Sequence, residues 1–401
     1  MSLVQTADHL PEAQAVDLDA SSKIELVLWD SLSAADNEWT SFEKEAVHSV
    51  FQRYEWLASW QEHVGQASGV KPLIAVGRSQ GRTVFLWPLG CRQRGPFTIA
   101  SWLGAENTNY NVGLWDPAYF ESASKSEIEA LFRRIGSEAG IDAFRLTNQP
   151  KTWLQQQHPL QQFSSSISCS TSYATELSSD FSAFVSAKRS KNARKKLNKK
   201  LRRLEEAGPV EFSRATTSDD VQQALDALVE QRGHRERLAG IPSIYSSQSF
   251  RNFTLSLLLK NLDLKQPAKE IYALKVGGII RATYIGGAQG DRYSCYANSF
   301  RDDELTRYSP GTHLLMYVFE RAIGAGYKTL DMGIGEESYK TEWCTPEDLF
   351  DTTIPISALG YPYAVMHKGK NSMKRFIRSS PRAWNAVRIM RKTMCRLGIT
   401  C

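Results

Sequence analysis

The sequence has no C-x-x-C pair, no clustered histidines and no long apolar run. Its six cysteines (Cys91, Cys169, Cys295, Cys344, Cys395 and Cys401) are scattered, as are its seven histidines. That spacing argues against a disulfide framework and against a metal site, so no metal is expected. A reducing, cytoplasmic setting fits best. No stretch approaches the ~20 apolar residues that a bilayer-crossing helix needs. Residues 1–22 are polar and acidic, without the basic start and apolar core of a signal peptide, and read as a mobile tail.

Acid is missing from two places. "KRSKNARKKLNKKLRR" (188–203) holds ten basic residues and no acidic one, and residues 366–401 repeat those counts. The net charge of the whole chain is only +6, so the remainder is acidic overall. Concentrated basicity implies anionic partners at particular places. In 188–203, Leu197 and Leu201 stand at helical spacing, continued by Leu204, so one side is expected to pack. Aromatics for base stacking are absent from it, which disfavours nucleic acid; an anionic lipid surface or a phosphorylated carrier fits as well. The segment 366–401 intersperses Phe376, Ile377, Trp384, Val387, Ile389, Met390, Met394 and Leu397 with its cations. That is the pattern of an interfacial amphipathic segment, or of one that packs back on the protein.

What is present in quantity is apolar. Hydrophobic residues make up 42% of 401, with ten Trp and 17 Phe. This is enough for large cores, and the length suggests two domains. Residues 39–63 read as helix. "KPLIAVGRSQGRTVFLWPL" reads as two strands about a glycine turn, and "NYNVGLWD" as further strand. "SKSEIEALFRRIGSEAG" reads as a helix capped by Ser126. The Gln- and Ser-rich stretch 155–172 reads as a connector or edge. Residues 180–207 read as one long basic helix, stopped by Gly208-Pro209. "EIYALKVGGIIRATYIGGAQGDRYSCYANSF" reads as a three-stranded antiparallel meander turning at Gly277-Gly278 and again at Gln289-Gly290-Asp291. A helix and the strand "KTLDMGI" follow. Residues 129–148 and 316–334 both run helix, Ala-Gly, strand, which suggests an internal duplication.

Between the meander and the second of those helices lies "RYSPGTHLL" (307–315). Pro310 fixes one backbone angle and Gly311 frees the next. No acid occupies the first turn of the helix that follows, where the helix dipole would favour one. A helix start left open in this way accepts an outside anion through Ser309, Gly311, Thr312, His313 and Leu314. The plainer alternative is a tight turn with Thr312 as a cap.

Meander, glycine turn, helix, strand is the central order of the GNAT acyltransferases, which the chain resembles. "YANSFRDDELTRYSPGTHLLMYVFERAIGAGYKTLDMGIGEESYKTEW" (296–343) looks like the signature of the cellulose-biosynthesis-associated acetyltransferase family within them. The overall order also resembles the Fem-type peptidyl transferases, with two GNAT-like domains in tandem. The resemblance implies an α/β (α+β) fold of two tandem GNAT-like domains, each a mixed, largely antiparallel sheet flanked by helices. The expected division is 1–22 tail, 23–172 degenerate domain, 173–365 acyltransferase domain and 366–401 basic amphipathic tail. It implies acetyl-CoA or another acyl-CoA as co-substrate, with its pyrophosphate at 309–314.

Acyl transfer to an amine or hydroxyl needs a base for the acceptor and an acid for the leaving thiol. "DMGIGEESYK" supplies candidates. Glu336 is the expected base with Asp331 in reserve, and Tyr339 the acid. Lys340 is expected to bind an anionic acceptor or the cofactor, and Tyr110 and Tyr296 to line an acceptor cleft. Each also has a structural alternative: a turn cap, a solvated carboxylate or a core tyrosine. The resemblance points to exopolysaccharide, cellulose or cell-envelope synthesis, with the protein cytoplasmic or peripheral at the inner membrane face. Two other readings fit the same residues. One is a Fem-like transferase using aminoacyl-tRNA. The other is a non-catalytic, membrane-associated interaction module.

Overall fold

A computed structural model describes residues 24–163, 165–380, 382–383, 386–387 and 390. The expected N-terminal tail lies outside the described residues. So do Trp384, Ile389, Met394 and Leu397 of the expected amphipathic segment.

The chain opens with strand β1 (Glu25–Trp29), helix α1 (Leu32–Phe42) and the short helix α2 (Tyr54–Trp60). Residues 39–63 are thus not one helix. A 3-10 turn at Val50–Gln52 separates α1 from α2. Strands β2 (Lys71–Ser79), β3 (Arg82–Arg94) and β4 (Phe97–Trp102) form the first meander. Of "NYNVGLWD" only β5 (Leu114–Trp115) is strand. Helices α3 (Pro117–Ser122) and α4 (Lys125–Ala139) lead to β6 (Ala143–Gln149). The cap of α4 is Ser124, whose hydroxyl accepts from Glu127 N, rather than Ser126. A small hairpin, β7 (Thr152–Trp153) and β8 (Gln156–Gln157), precedes β9 (Ser165–Glu176).

The basic run forms two helices, not one. Helix α5 (Phe181–Lys188) ends at Arg189, and Ser190 caps α6 (Lys191–Glu205) through a bond from Ala193 N. Strand β10 (Val210–Arg214) and helices α7 (Ser218–Ala239) and α8 (Gln248–Lys260) come next. The second meander is β11 (Glu270–Val276), β12 (Ile279–Gln289) and β13 (Arg292–Phe300), as its alternation and glycine turns predict. Helix α9 (Pro310–Gly324), strands β14 (Thr329–Ile334) and β15 (Thr345–Pro355), and helix α10 (Gly360–Ser379) follow.

One sheet runs through the molecule in the order β1-β2-β3-β4-β6-β15-β9-β14-β13-β12-β11-β10, with β5 paired to β3. The order repeats about its middle. An antiparallel meander is followed by a parallel pair, β4 with β6 in one half and β13 with β14 in the other. An antiparallel strand then closes each half. The closing strands are exchanged: β9, which follows the first half in sequence, pairs with β14, and β15, from the end of the second half, pairs with β6. The two closing strands pair with each other along 165–174 and 345–352. The stretch 155–172 is therefore no edge, because its second part lies in the centre of the sheet. Its buried hydroxyls are satisfied there, Ser168 donating to Asn148 Oδ1 and Ser172 to Glu347 O.

Two large cores flank the sheet. One joins the first half to α7 and α8 through Trp39, Trp56, Trp87, Trp115 and Phe253. The other lies under α9, with Leu314, Leu315, Val318 and Phe319 against Tyr284, Leu330 and Trp343. Among the described residues no helix is long and apolar enough to cross a membrane.

Candidate functional site

Strands β13 and β14 pair in parallel only from Arg292–Thr329 to Ser294–Asp331. Beyond that they part. On its other side, β13 pairs Cys295 with Gly286 and Ala297 with Ile285, so Tyr296 is the extra residue of a bulge. The bulge and the parting open a wedge between the strands. A loop of the first half enters it. Asn109 Nδ2 donates to Cys295 O at 3.0 Å, and Tyr296 Oη donates to Asn107 O at 2.8 Å. Gly333, at φ +73°, makes room: a Cβ there would lie 2.6 Å from Asn109 Nδ2.

At the open end of the wedge, α9 begins. Ser309 is its N-cap in the left-handed region, at φ 59°, so Thr312 is not the cap. Thr312 N and His313 N both donate to Ser309 O, at 3.0 and 3.2 Å. Pro310 has no N–H, and the Gly311 N–H has no partner among the described residues. No acid stands in the first turn. Instead Lys200, reaching over from α6, donates to Ser309 Oγ at 2.8 Å.

This helix start borders a cavity of about 320 Å³. Its walls are Ser309–Thr312 and Leu315 of α9, Thr283 and Tyr284 of β12, Asn298–Phe300 of β13, Arg235 of α7, and Thr306, Glu337 and Tyr339 from the adjoining loops. Tyr339 Oη accepts from Asn298 Nδ2 at 2.7 Å and adjoins the Tyr284 hydroxyl. Burial, then the charge of Glu337, pushes the Tyr339 phenol up to about 12. It therefore stays protonated at any physiological pH. Arg235 lies over the Phe300 ring at 4.4 Å. Its pKa is lowered by burial and by the neighbouring Arg232.

Of the residues singled out from sequence, Ser309, Gly311, Thr312 and Tyr339 meet on this wall. His313 and Leu314 are buried behind it. Burial lowers the His313 pKa to about 4, so that ring is neutral. Glu336 is exposed and off the wall, which its neighbour Glu337 occupies. Lys340 is buried, its ammonium 2.7 Å from Glu337 Oε2 and 2.7 Å from Ile334 O. It fastens the loop after β14. Asp331 is 0% exposed and sits beneath the wedge. It accepts from Tyr110 Oη at 2.7 Å and Gly333 N at 2.7 Å, and pairs with Arg292 at 3.1 Å. Tyr110 borders a second cavity with Arg292 and Trp153, whereas Tyr296 is turned toward Trp56 and Lys269.

The sequence does not single out Arg235, Asn298, Tyr284 or Lys200, and it carries Glu337 only as the neighbour of Glu336. Only "EES", which holds Glu337 beside Glu336, carried a local signal; the others are gathered by tertiary structure. Burial raises the thiol pKa of Cys295, and pushes that of Cys344 up to about 12, so neither is a ready nucleophile. Among the described residues no group of His, Cys, Asp and Glu is placed to hold a metal ion.

Residues 191–341 match the acetyltransferase (GNAT) domain family. The GNAT match takes in α6, the second meander, α9, β14 and Tyr339, and so spans the whole cavity. No curated protein matches the chain. Among solved structures, FemX is similar over 84% of this chain and 98% of its own, with a TM-score of 0.60 and 12% identity. A protein of unknown function from Bacteroides thetaiotaomicron VPI-5482 gives 0.51 at 14% identity, over 82% of this chain and 100% of its own. The C-terminal domain (DUF2156) of a putative lysylphosphatidylglycerol synthetase from Agrobacterium fabrum gives 0.51 at 12%, over 84% and 95%. At these identities the likeness is one of fold: a mixed, mostly antiparallel sheet flanked by helices.

Proposed function

We propose that this chain is an acyl-CoA-dependent acyltransferase, with the CoA pyrophosphate at the start of α9 and the thioester beside Tyr339. One observation carries the reading: a Gly311 N–H without a partner among the described residues, at a helix start with no acid, opens onto the cavity that holds the Tyr339 hydroxyl. The helix start and Lys200 supply positive potential for a pyrophosphate. An acceptor amine or hydroxyl attacks the thioester carbonyl; the new C–N or C–O bond forms and the C–S bond breaks. Tyr339 gives its proton to the departing sulfur. Glu337 takes the acceptor's proton, directly or through a water. This assigns to Glu337 the role the sequence alone suggests for Glu336 or Asp331. Asp331 is reserved for structure by its three partners.

We further propose two units, 23–172 and 173–365, with β9 and β15 exchanged between them and the cofactor in the second. Resemblance of 296–343 to the cellulose-associated acetyltransferases supports an acceptor from exopolysaccharide or envelope synthesis. Helix α10 leaves Tyr361, Val365, Met366, Met373 and Phe376 exposed beside Lys368, Lys370, Lys374 and Arg375. That combination suits peripheral contact with an anionic membrane surface.

The test is thermal shift and native mass spectrometry with acetyl-CoA, longer acyl-CoAs and charged tRNA. Acyl-CoA should raise Tm, and Gly311→Trp should abolish the rise. Stabilisation by charged tRNA but by no CoA would replace this reading with the Fem-like one. Lipid binding without thioester turnover would replace it with an interaction module.

A further inference from the structure

Helix α6 places eight basic side chains in 15 residues, with Glu205 its one acid. Lys191–Lys195, Lys195–Lys199, Lys196–Lys200 and Lys199–Arg203 are like-charged pairs at i,i+4, and each weakens the helix. Among the described residues only Arg203 has an ion-pair partner, Glu206. The helix is held by its Ser190 cap and by its apolar edge, where Leu204 is buried against Val276 and Leu305. The repulsion is thus left in place, and a bound anion would relieve it.

The position of α6 says which anion. Lys200 is fixed to Ser309, the first residue of the proposed pyrophosphate seat. Lys196 lies one turn away on the same face, a rise of about 5.4 Å, and Lys199 flanks both. Lys196 and Lys199 are exposed. A ligand whose pyrophosphate sits at Ser309–Thr312 carries its nucleotide end past this face. In CoA that end bears a 3′-phosphomonoester, which holds about 1.5–2 negative charges near pH 7. We propose that the Lys196–Lys199–Lys200 face of α6 is a second anion subsite, one that recognises the 3′-phosphate of CoA. This rests on the acyl-CoA reading above and extends it to ligand selection. A single-stranded nucleic acid is the less suited occupant, because α6 has no aromatic residue on which a base can stack.

The test is calorimetric titration of the full chain with CoA and with 3′-dephospho-CoA. The wild type should bind CoA at least tenfold more tightly than 3′-dephospho-CoA. Lys196→Ala/Lys199→Ala should bind both ligands alike, with the affinity the wild type shows for 3′-dephospho-CoA. Circular dichroism checks that the variant keeps its helices. Equal affinity of the wild type for both ligands would overturn this subsite and leave the α9 seat standing. Binding of neither would overturn both. Salt-sensitive binding of an RNA oligonucleotide, with no discrimination between the two CoA forms, would give α6 to nucleic acid instead.

Discussion

Tyr110 and Asp331 stand 221 positions apart in sequence and 2.7 Å apart in space, the phenol donating to the carboxylate. Tyr110 lies in the loop between β4 and β5 of the first half, and Asp331 in β14 of the second. Their contact, with the Arg292–Asp331 pair, closes the underside of the wedge beside the cavity.

Removing either partner should therefore loosen the junction rather than disarm the chemistry. Asp331→Asn leaves the half-buried Arg292 without its counter-charge and should cost about 1–3 kcal/mol. Tyr110→Phe removes one donor from a buried carboxylate and should cost about 1–3 kcal/mol. Urea unfolding of both variants measures this.

Tyr339→Phe keeps the ring and removes the proposed acid. Its kcat should fall by a factor on the order of 10²–10⁴, while CoA affinity stays close to wild type. Because the phenol is held at about 12, it is protonated throughout the ordinary range. Deprotonation of Tyr339 should therefore cause no loss of kcat between pH 7 and 10. A pH–rate profile of the wild type checks this.

Gly311→Ala separates blocking from misfolding. The added Cβ would meet Phe300 at 3.7 Å, an ordinary contact. Stability should stay within about 0.5 kcal/mol of wild type. Thermal melts of the Ala and Trp variants then show whether lost CoA binding in the latter reflects the filled seat.

Lys269 is fully buried, with its Nζ 3.9 Å from the Phe253 ring centre, 4.1 Å from Trp56 and 4.8 Å from Tyr296. It has no hydrogen-bond partner among the described residues. Burial lowers its pKa well below the usual lysine value. Between that lowered value and about 10.4, the unfolded chain binds a proton that the folded one does not. Stability should rise with pH across that window, by up to about 1.4 kcal/mol per pH unit from this group. Lys269→Met should be more stable at pH 7 and lose that part of the slope. Urea midpoints measured from pH 7 to 9.5 decide it.

Local patterns made much of this legible. The second meander alternates cleanly and turns on paired glycines, and α9 announces itself through Pro310, Gly311 and an apolar stripe. Ser309, Gly311, Thr312 and Tyr339 could be placed together because turn and loop both adjoin the wedge strands. What escaped was non-local or disguised. Ser190 is a cap hidden inside a basic run, so α5 and α6 read as one helix. Strand β9 is rich in serine and threonine, and its polar groups become interior only because β15 and β14 lie on either side. Asn298, Arg235 and Lys200 come from three separate elements, and nothing in their neighbours' spacing points to a shared wall.

The exchanged strands impose a timetable. A ribosome making this chain releases β1–β6 early, yet the strand that covers β6 is β15, residues Thr345–Pro355. From the making of β6 until that of β15, the growing chain carries an uncovered strand edge, the kind of surface that invites mispairing. The early part must wait, shielded or shifting, until β15 is made. A chain cut off before Thr345 would be not a smaller version of the fold but an unfinished sheet.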